Sequence, residues 1–211
     1  VTVCQVGEGS DELFCGYPLW GWFLRVAAWN RTFQLAPRSV RRLFPALLKA
    51  AGRHHGYPYE CLRRGAEGET LFWSGAEAFF EPQKAALLTR WVREKLGGAS
   101  SHEVVTAYRR QFLERAPHRD FLTWMGYADL KLRLPELLLM RVDKMTMATA
   151  VEARVPFLDH EFVQFAMSLP QSVKAPRGEL KHILKRAVRG ILPDAVIDRK
   201  KQGFGVPVAE W

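Results

Sequence analysis

The chain has 211 residues, of which 48% are hydrophobic and 25% charged, a balance that excludes a wholly disordered protein and suffices for one buried core. Lys plus Arg number 31 against 22 Asp plus Glu, a formal charge of +9, which favours anionic partners such as nucleotides, pyrophosphate, acidic substrates or nucleic acid, unless the charges only solvate helix faces. The cysteines Cys4, Cys15 and Cys61 form no CxxC pair, which argues against a disulfide framework or zinc ribbon and points to a reducing, cytoplasmic setting.

Residues 1–6 read as a short buried strand, β-branched and uncharged. The turn Gly7-Glu8-Gly9-Ser10-Asp11-Glu12 follows, with Ser10 as the expected N-cap of a helix that runs through Trp20, Trp22 and Trp29 and stops before Pro37. Residues 39–51 spell a basic amphipathic helix kinked near Pro45, and 54–68 a loop. One or two helices are expected over 77–96, then helices over 101–114 (capped by Ser100 or Ser101), 120–132, 135–149, 160–168 and 178–189. No second strand, repeat or low-complexity tract is apparent. The apolar run 13–23 falls short of the roughly 18 residues a spanning helix needs, so no membrane partner is expected. A lone strand is not stable, and residues 203–211 lead into no closing element, so both ends read as cut.

Three constellations could carry chemistry. In Gly7-Glu8-Gly9-Ser10-Asp11-Glu12 the glycines let backbone N–H groups approach an anion, and the acids suit a magnesium ion lying between them and a phosphate. The same residues also read as an acidic helix start stabilised by the dipole. Arg141-Val142-Asp143-Lys144 and Glu152-Ala153-Arg154 place charges in an apolar stretch, where they are expected to be partly buried and paired, either functionally or as a structural network. Arg199-Lys200-Lys201-Gln202-Gly203 suits a mobile basic loop closing over phosphates, or a solvated turn. The histidines lack metal spacing, and no GxSxG elbow, Walker motif or GxGxxG occurs.

Together these stretches resemble the glutamine-hydrolysing asparagine synthetase family. The resemblance is carried, in the family's order, by Gly7-Glu8-Gly9-Ser10-Asp11-Glu12-Leu13-Phe14-Cys15-Gly16-Tyr17, Leu139-Met140-Arg141-Val142-Asp143-Lys144-Met145-Thr146-Met147-Ala148, Val151-Glu152-Ala153-Arg154-Val155-Pro156-Phe157-Leu158-Asp159, Leu180-Lys181-His182-Ile183-Leu184-Lys185 and Arg199-Lys200-Lys201-Gln202-Gly203-Phe204-Gly205-Val206-Pro207. Residues 25–115 carry none of it.

The resemblance implies an α/β parent fold of the ATP-pyrophosphatase (adenine-nucleotide α-hydrolase) type, of which this mostly α-helical stretch with one N-terminal strand is the C-terminal part of the synthetase domain. It implies ATP-dependent adenylation of the aspartate side chain, then attack by glutamine-derived ammonia to give asparagine, AMP and pyrophosphate, with Mg2+ assisting. Glu8 matches the acid proposed as base for ammonia attack, Asp11 a magnesium ligand, Lys201 the loop lysine that stabilises charge on the phosphate, and Val6 and Gly7 the backbone that touches the nucleotide. Val6 stands where the family has Ser, and Cys15 where Gly is common; the continuation Pro18-Leu19-Trp20 leaves open a paralogue that aminates another carboxylate, as in polysaccharide-linked amidotransferases or β-lactam synthetases. The family's SGGxDS pyrophosphate loop and its N-terminal glutaminase domain are missing from residues 1–211, so these residues alone are expected to be inactive. Small-molecule substrates are the expected partners, without nucleic acid, and a homodimer of the full-length protein is possible within the family. A basic RNA-binding or non-catalytic helical module is the rival reading.

Overall fold

The structure is a computed structural model and describes residues 1–54 and 56–200. It is mostly helical. Strand β1 (Val3–Gln5) leads through the loop 6–9 into a five-residue helix α1 (Ser10–Phe14), then α2 (Pro18–Phe33), α3 (Arg38–Ala50) and α4 (Tyr57–Glu67). Helices α5 (Glu81–Leu87), α6 (Arg90–Leu96), α7 (Ser101–Arg115) and α8 (Phe121–Lys131) follow. A π-helical turn (Leu134–Leu139) runs directly into α9 (Met140–Met147), which delivers the chain to β2 (Glu152–Arg154). The described chain ends with α10 (His160–Ser168), α11 (Gln171–Lys174), α12 (His182–Val188) and α13 (Asp194–Ile197).

The core forms around α8, whose Leu122, Trp124, Met125 and Ala128 are buried against Trp20 and Phe23 of α2, Phe72 of the segment before α5, and Phe112 of α7. The Trp124 indole Nε1–H donates to the Phe72 carbonyl at 3.0 Å, as a buried donor requires. A second cluster, Leu13, Phe14 and Ala166 with Phe157, Phe162 and Ile183 around them, ties α1 to α10 and α12. Gly126 is where α1 meets α8: a Cβ there would lie 2.8 Å from the Glu12 carbonyl oxygen, so a glycine permits the close approach.

Several sequence expectations change. Residues 152–154 form a second strand, parallel to β1 with Val3 opposite Glu152, Cys4 opposite Ala153 and Gln5 opposite Arg154. Its charged, three-residue composition carries no strand signal; pairing with β1 creates it. Residues 57–67, expected as loop, are helix α4, because Pro58 falls in the first turn, where its missing N–H costs nothing, and Tyr59, Cys61 and Arg64 are buried. The single helix expected from Ser10 to Pro37 is two, broken at Cys15, whose left-handed φ of 61° ends α1. That conformation explains why glycine suits this position, since a side chain there costs about 1–2 kcal/mol. Gly9, with φ 91°, takes the N-cap place expected of Ser10. The helix expected from Gly178 begins only at His182, because Lys181 is left-handed at φ 57°. Of the two caps expected for α7, Ser100 is the one used, accepting from His102 N–H at 3.1 Å; Asp120, expected inside its helix, caps α8 instead, accepting from Thr123 N–H at 2.9 Å.

Candidate functional site

The loop 6–9 leaves the carboxyl end of β1, the place where parallel α/β units bind ligands. Val6 N–H donates to the Arg154 carbonyl at 2.9 Å, and Glu152 N–H to the Thr2 carbonyl at 2.8 Å, so the two strands hold the loop's root. Val6 and Glu8 are half-buried and Gly7 exposed. Gly9 packs under Leu158, at a spot where no side chain would fit. The Phe14 and Phe157 rings meet edge-on at 6.3 Å. These contacts bring together the stretches 6–17 and 151–159, far apart in sequence.

A third stretch joins through Lys181. Its backbone N–H donates to the Phe14 carbonyl at 3.0 Å, and its ammonium forms an ion pair with the Asp11 carboxylate. The side chains of Lys181 and Asp11 are 28% and 22% exposed, which leaves the pair at the edge of solvent, open to a ligand. The strained φ of Lys181 is therefore held by contacts on both its backbone and its side chain.

Behind Asp11 lies a buried acidic pair that sequence reasoning missed. Glu12 accepts from the Tyr17 hydroxyl at 2.5 Å, and the Tyr17 ring carries the Arg133 guanidinium 4.2 Å above it. Asp129, fully buried on α8, accepts from Ser74 Oγ at 2.8 Å and Gly75 N–H at 2.6 Å, and its other oxygen faces Arg133 Nη1 at 3.9 Å. Burial pushes both carboxyls above their ordinary range, against the lowering effect of these hydrogen bonds. The signal available in the sequence was one acid, Asp129, inside the apolar run 121–130.

Other expected positions fall differently. Arg141, Asp143, Lys144, Glu152 and Arg154 are exposed rather than partly buried, because α9 and β2 turn these side chains to solvent. Glu152 and Arg154 pair with each other at 2.7 Å across one strand face. Asp159 caps α10, accepting from Glu161 and Phe162 N–H groups at 3.0 and 3.1 Å. Arg199 and Lys200 are exposed. Lys201 and Gly203-Phe204-Gly205 lie outside the described residues.

Two recesses indent the helical part. One of about 500 Å³ is lined by Phe112, Tyr127, Leu130, Leu158 and Met167 among others; one of about 400 Å³ lies beside Trp73, Val104 and Glu136. Neither includes Glu8 or Asp11. Among the described residues no group of three His, Cys, Asp or Glu side chains is placed to hold a metal ion. No described helix is long and apolar enough to cross a membrane.

The described residues thus set a loop at the carboxyl end of a parallel strand pair, with a paired acid at its edge and helices behind it. The asparagine synthase family model matches residues 1–211, and the chain belongs to that family. It is 33% identical over 213 residues to asparagine synthetase [glutamine-hydrolyzing] 1 of Bacillus subtilis, covering 100% of this chain and 32% of that protein. It is 32% identical over 223 residues to a putative asparagine synthetase [glutamine-hydrolyzing] of Mycobacterium bovis, covering 100% of this chain and 30% of the relative. A more distant relative, from Gallus gallus, is 28% identical over 135 residues, covering 58% of this chain and 23% of the relative. The chain thus spans about a third of the length of the first two relatives. No solved structure matches it.

Proposed function

We propose that this chain is the C-terminal part of the synthetase domain of an ATP-dependent carbon–nitrogen ligase, which adenylates the side-chain carboxylate of aspartate and transfers glutamine-derived ammonia to it. The observation that supports this most is the meeting of three distant stretches, 6–17, 151–159 and the segment at Lys181, at the carboxyl end of β1. A purely structural helical module has no need to bring an acidic loop, a paired strand and a strained lysine to one strand end.

Each residue then has a role. Backbone N–H groups at Val6 and Gly7 would contact the nucleotide. Glu8, half-buried on the loop, would take a proton from the attacking amine, a task for a carboxylate within hydrogen-bond reach. Lys201 would stabilise the negative charge that builds at the α-phosphate during adenylation. Magnesium fits this site only as an ion held by one protein carboxylate, Asp11, with phosphates and water supplying the other ligands, the common arrangement for this ion beside nucleotides. It would supply neutralisation of phosphate charge. Lys181, already paired with Asp11, would orient that carboxylate until the substrate arrives. The remaining wall of the site, including a loop to cradle pyrophosphate, is proposed to come from the part of the protein that precedes residue 1.

The test separates the two half-reactions in the full-length protein. Lys201→Ala is expected to slow pyrophosphate release by about 10²–10³-fold, as does loss of one oxyanion donor. Glu8→Gln should leave adenylate formation in place and slow amide formation. Unchanged pyrophosphate release in the first variant, or equal losses in both steps in the second, would overturn these assignments.

A further inference from the structure

Helix α3 exposes both kinds of side chain. Arg38 and Arg42 both pair with Glu67 of α4, at 2.9 and 2.6 Å, yet stay 59% and 53% exposed; Arg41 donates to the Gly65 carbonyl at 3.2 Å, and Pro45 is buried. Its apolar stripe, at the i, i+3, i+4, i+7 spacing of one helical face, points to solvent: Val40, Leu43, Phe44 and Leu47 are 43%, 55%, 47% and 58% exposed. An amphipathic helix of a folded protein normally buries such a stripe. The stripe continues onto α2 through rings in contact, Phe44 on Phe33 at 5.9 Å and Phe33 stacked on Trp29 at 4.8 Å. Trp29 is itself half exposed, and Leu35, in the connection, more so.

The charge around this patch has one sign. Between Glu12 and Glu60 the sequence has no Asp or Glu and seven Arg and Lys. Glu67 meets two of these arginines, which leaves the surface strongly positive, and Arg25, Arg31, Lys49 and Arg53 are exposed.

We propose that the α2–α3 face rests on an anionic lipid surface. Exposed leucine, phenylalanine and tryptophan on one side of a helix, with arginine and lysine along its flanks, is the pattern of a helix lying in the membrane interface. Other occupants fit less well. A second copy of this chain would bring two positive faces together. Single-stranded RNA would use aromatic rings for stacking but gain little from Val40, Leu43 and Leu47. A peptide or side chain that inserts into a groove finds none here, since neither recess described above includes a residue of α2 or α3. A fluid apolar phase needs none. This is adhesion to one leaflet, which the sequence expectation of no membrane partner did not weigh, because only spanning segments were considered there. It does not depend on the proposed catalytic roles.

The full-length protein should float with phosphatidylcholine vesicles in which one third of the lipid is phosphatidylglycerol, about tenfold or more better than with phosphatidylcholine alone, and added salt should weaken the association. The double substitution L43E/L47E changes two exposed positions, so the circular dichroism spectrum and thermal midpoint should hold while flotation falls about tenfold. Arg31→Glu with Lys49→Glu should weaken binding to the anionic vesicles alone. The proposal is overturned if wild type does not bind either vesicle, or if L43E/L47E binds as wild type does. Binding of a poly-uridine oligonucleotide in place of vesicles, or a dimer in light scattering that L43E/L47E dissociates, would equally overturn it.

Discussion

Replacing Gly126 with alanine sets two physical effects of opposite sign against each other. Gly126 lies within α8, and alanine in a helix interior is favoured over glycine by about 1 kcal/mol. The added Cβ, however, would stand 2.8 Å from the Glu12 carbonyl oxygen, and a backbone atom cannot rotate away as a side chain can. Overpacking of this kind costs about 1–3 kcal/mol, so the two together predict a net loss of about 1 kcal/mol, reaching about 2. Gly21 of α2 supplies the control, because a Cβ there meets nothing within 4 Å. Gly21→Ala should stabilise by about 0.5–1 kcal/mol and Gly126→Ala should destabilise, both measured by urea unfolding. Because α1 carries Asp11, pushing it off α8 should also slow pyrophosphate release by about tenfold or more, as small misplacements at such sites do. If Gly126→Ala stabilised the protein as much as Gly21→Ala, the account of how α1 is positioned would be refuted.

Other consequences can be read from titration and thiol burial. Glu12 and Asp129 both have pKa values raised by burial, so the folded state holds their protons more tightly than the unfolded chain does. Their contribution to stability is full below the ordinary carboxylate range and is lost as pH rises through the folded values. Asp129→Asn should therefore flatten the fall in urea midpoint from mildly acidic to neutral pH; an unchanged slope would show that the carboxyl titrates normally. Burial raises the thiols of Cys15 and Cys61 to about 12, which keeps them protonated at neutral pH, whereas Cys4 is only half-buried. Mass spectrometry of native protein treated with iodoacetamide should find Cys4 alkylated well before the other two, and equal labelling would contradict the burial.

What the sequence made legible was mainly local. Ser100 announced its helix because a cap acts on the next two or three residues. The acidic loop and a helix start after it were also visible, though not the role of Gly9 as N-cap under Leu158 or the break at Cys15. Composition misled where Pro58 and Gly56 resembled a loop but opened α4. Strand β2 was invisible because Glu152-Ala153-Arg154 becomes a strand only by pairing with β1. The Asp11–Lys181 pair and the buried Glu12 and Asp129 depend on contacts between distant segments, for which no local pattern exists. The orientation of α3 was likewise hidden. Its amphipathic period was plain, but whether the apolar stripe is covered depends on what packs against α3, and the buried contact there is Pro45.

The central claim is that this acidic loop and its partners serve carboxylate adenylation. The most direct test is pyrophosphate release from ATP by the full-length protein, measured with magnesium and with or without aspartate. The account predicts release that requires the carboxylate acceptor and falls in Asp11→Asn. Release that ignores every carboxylate offered, or that Asp11→Asn leaves untouched, would contradict it.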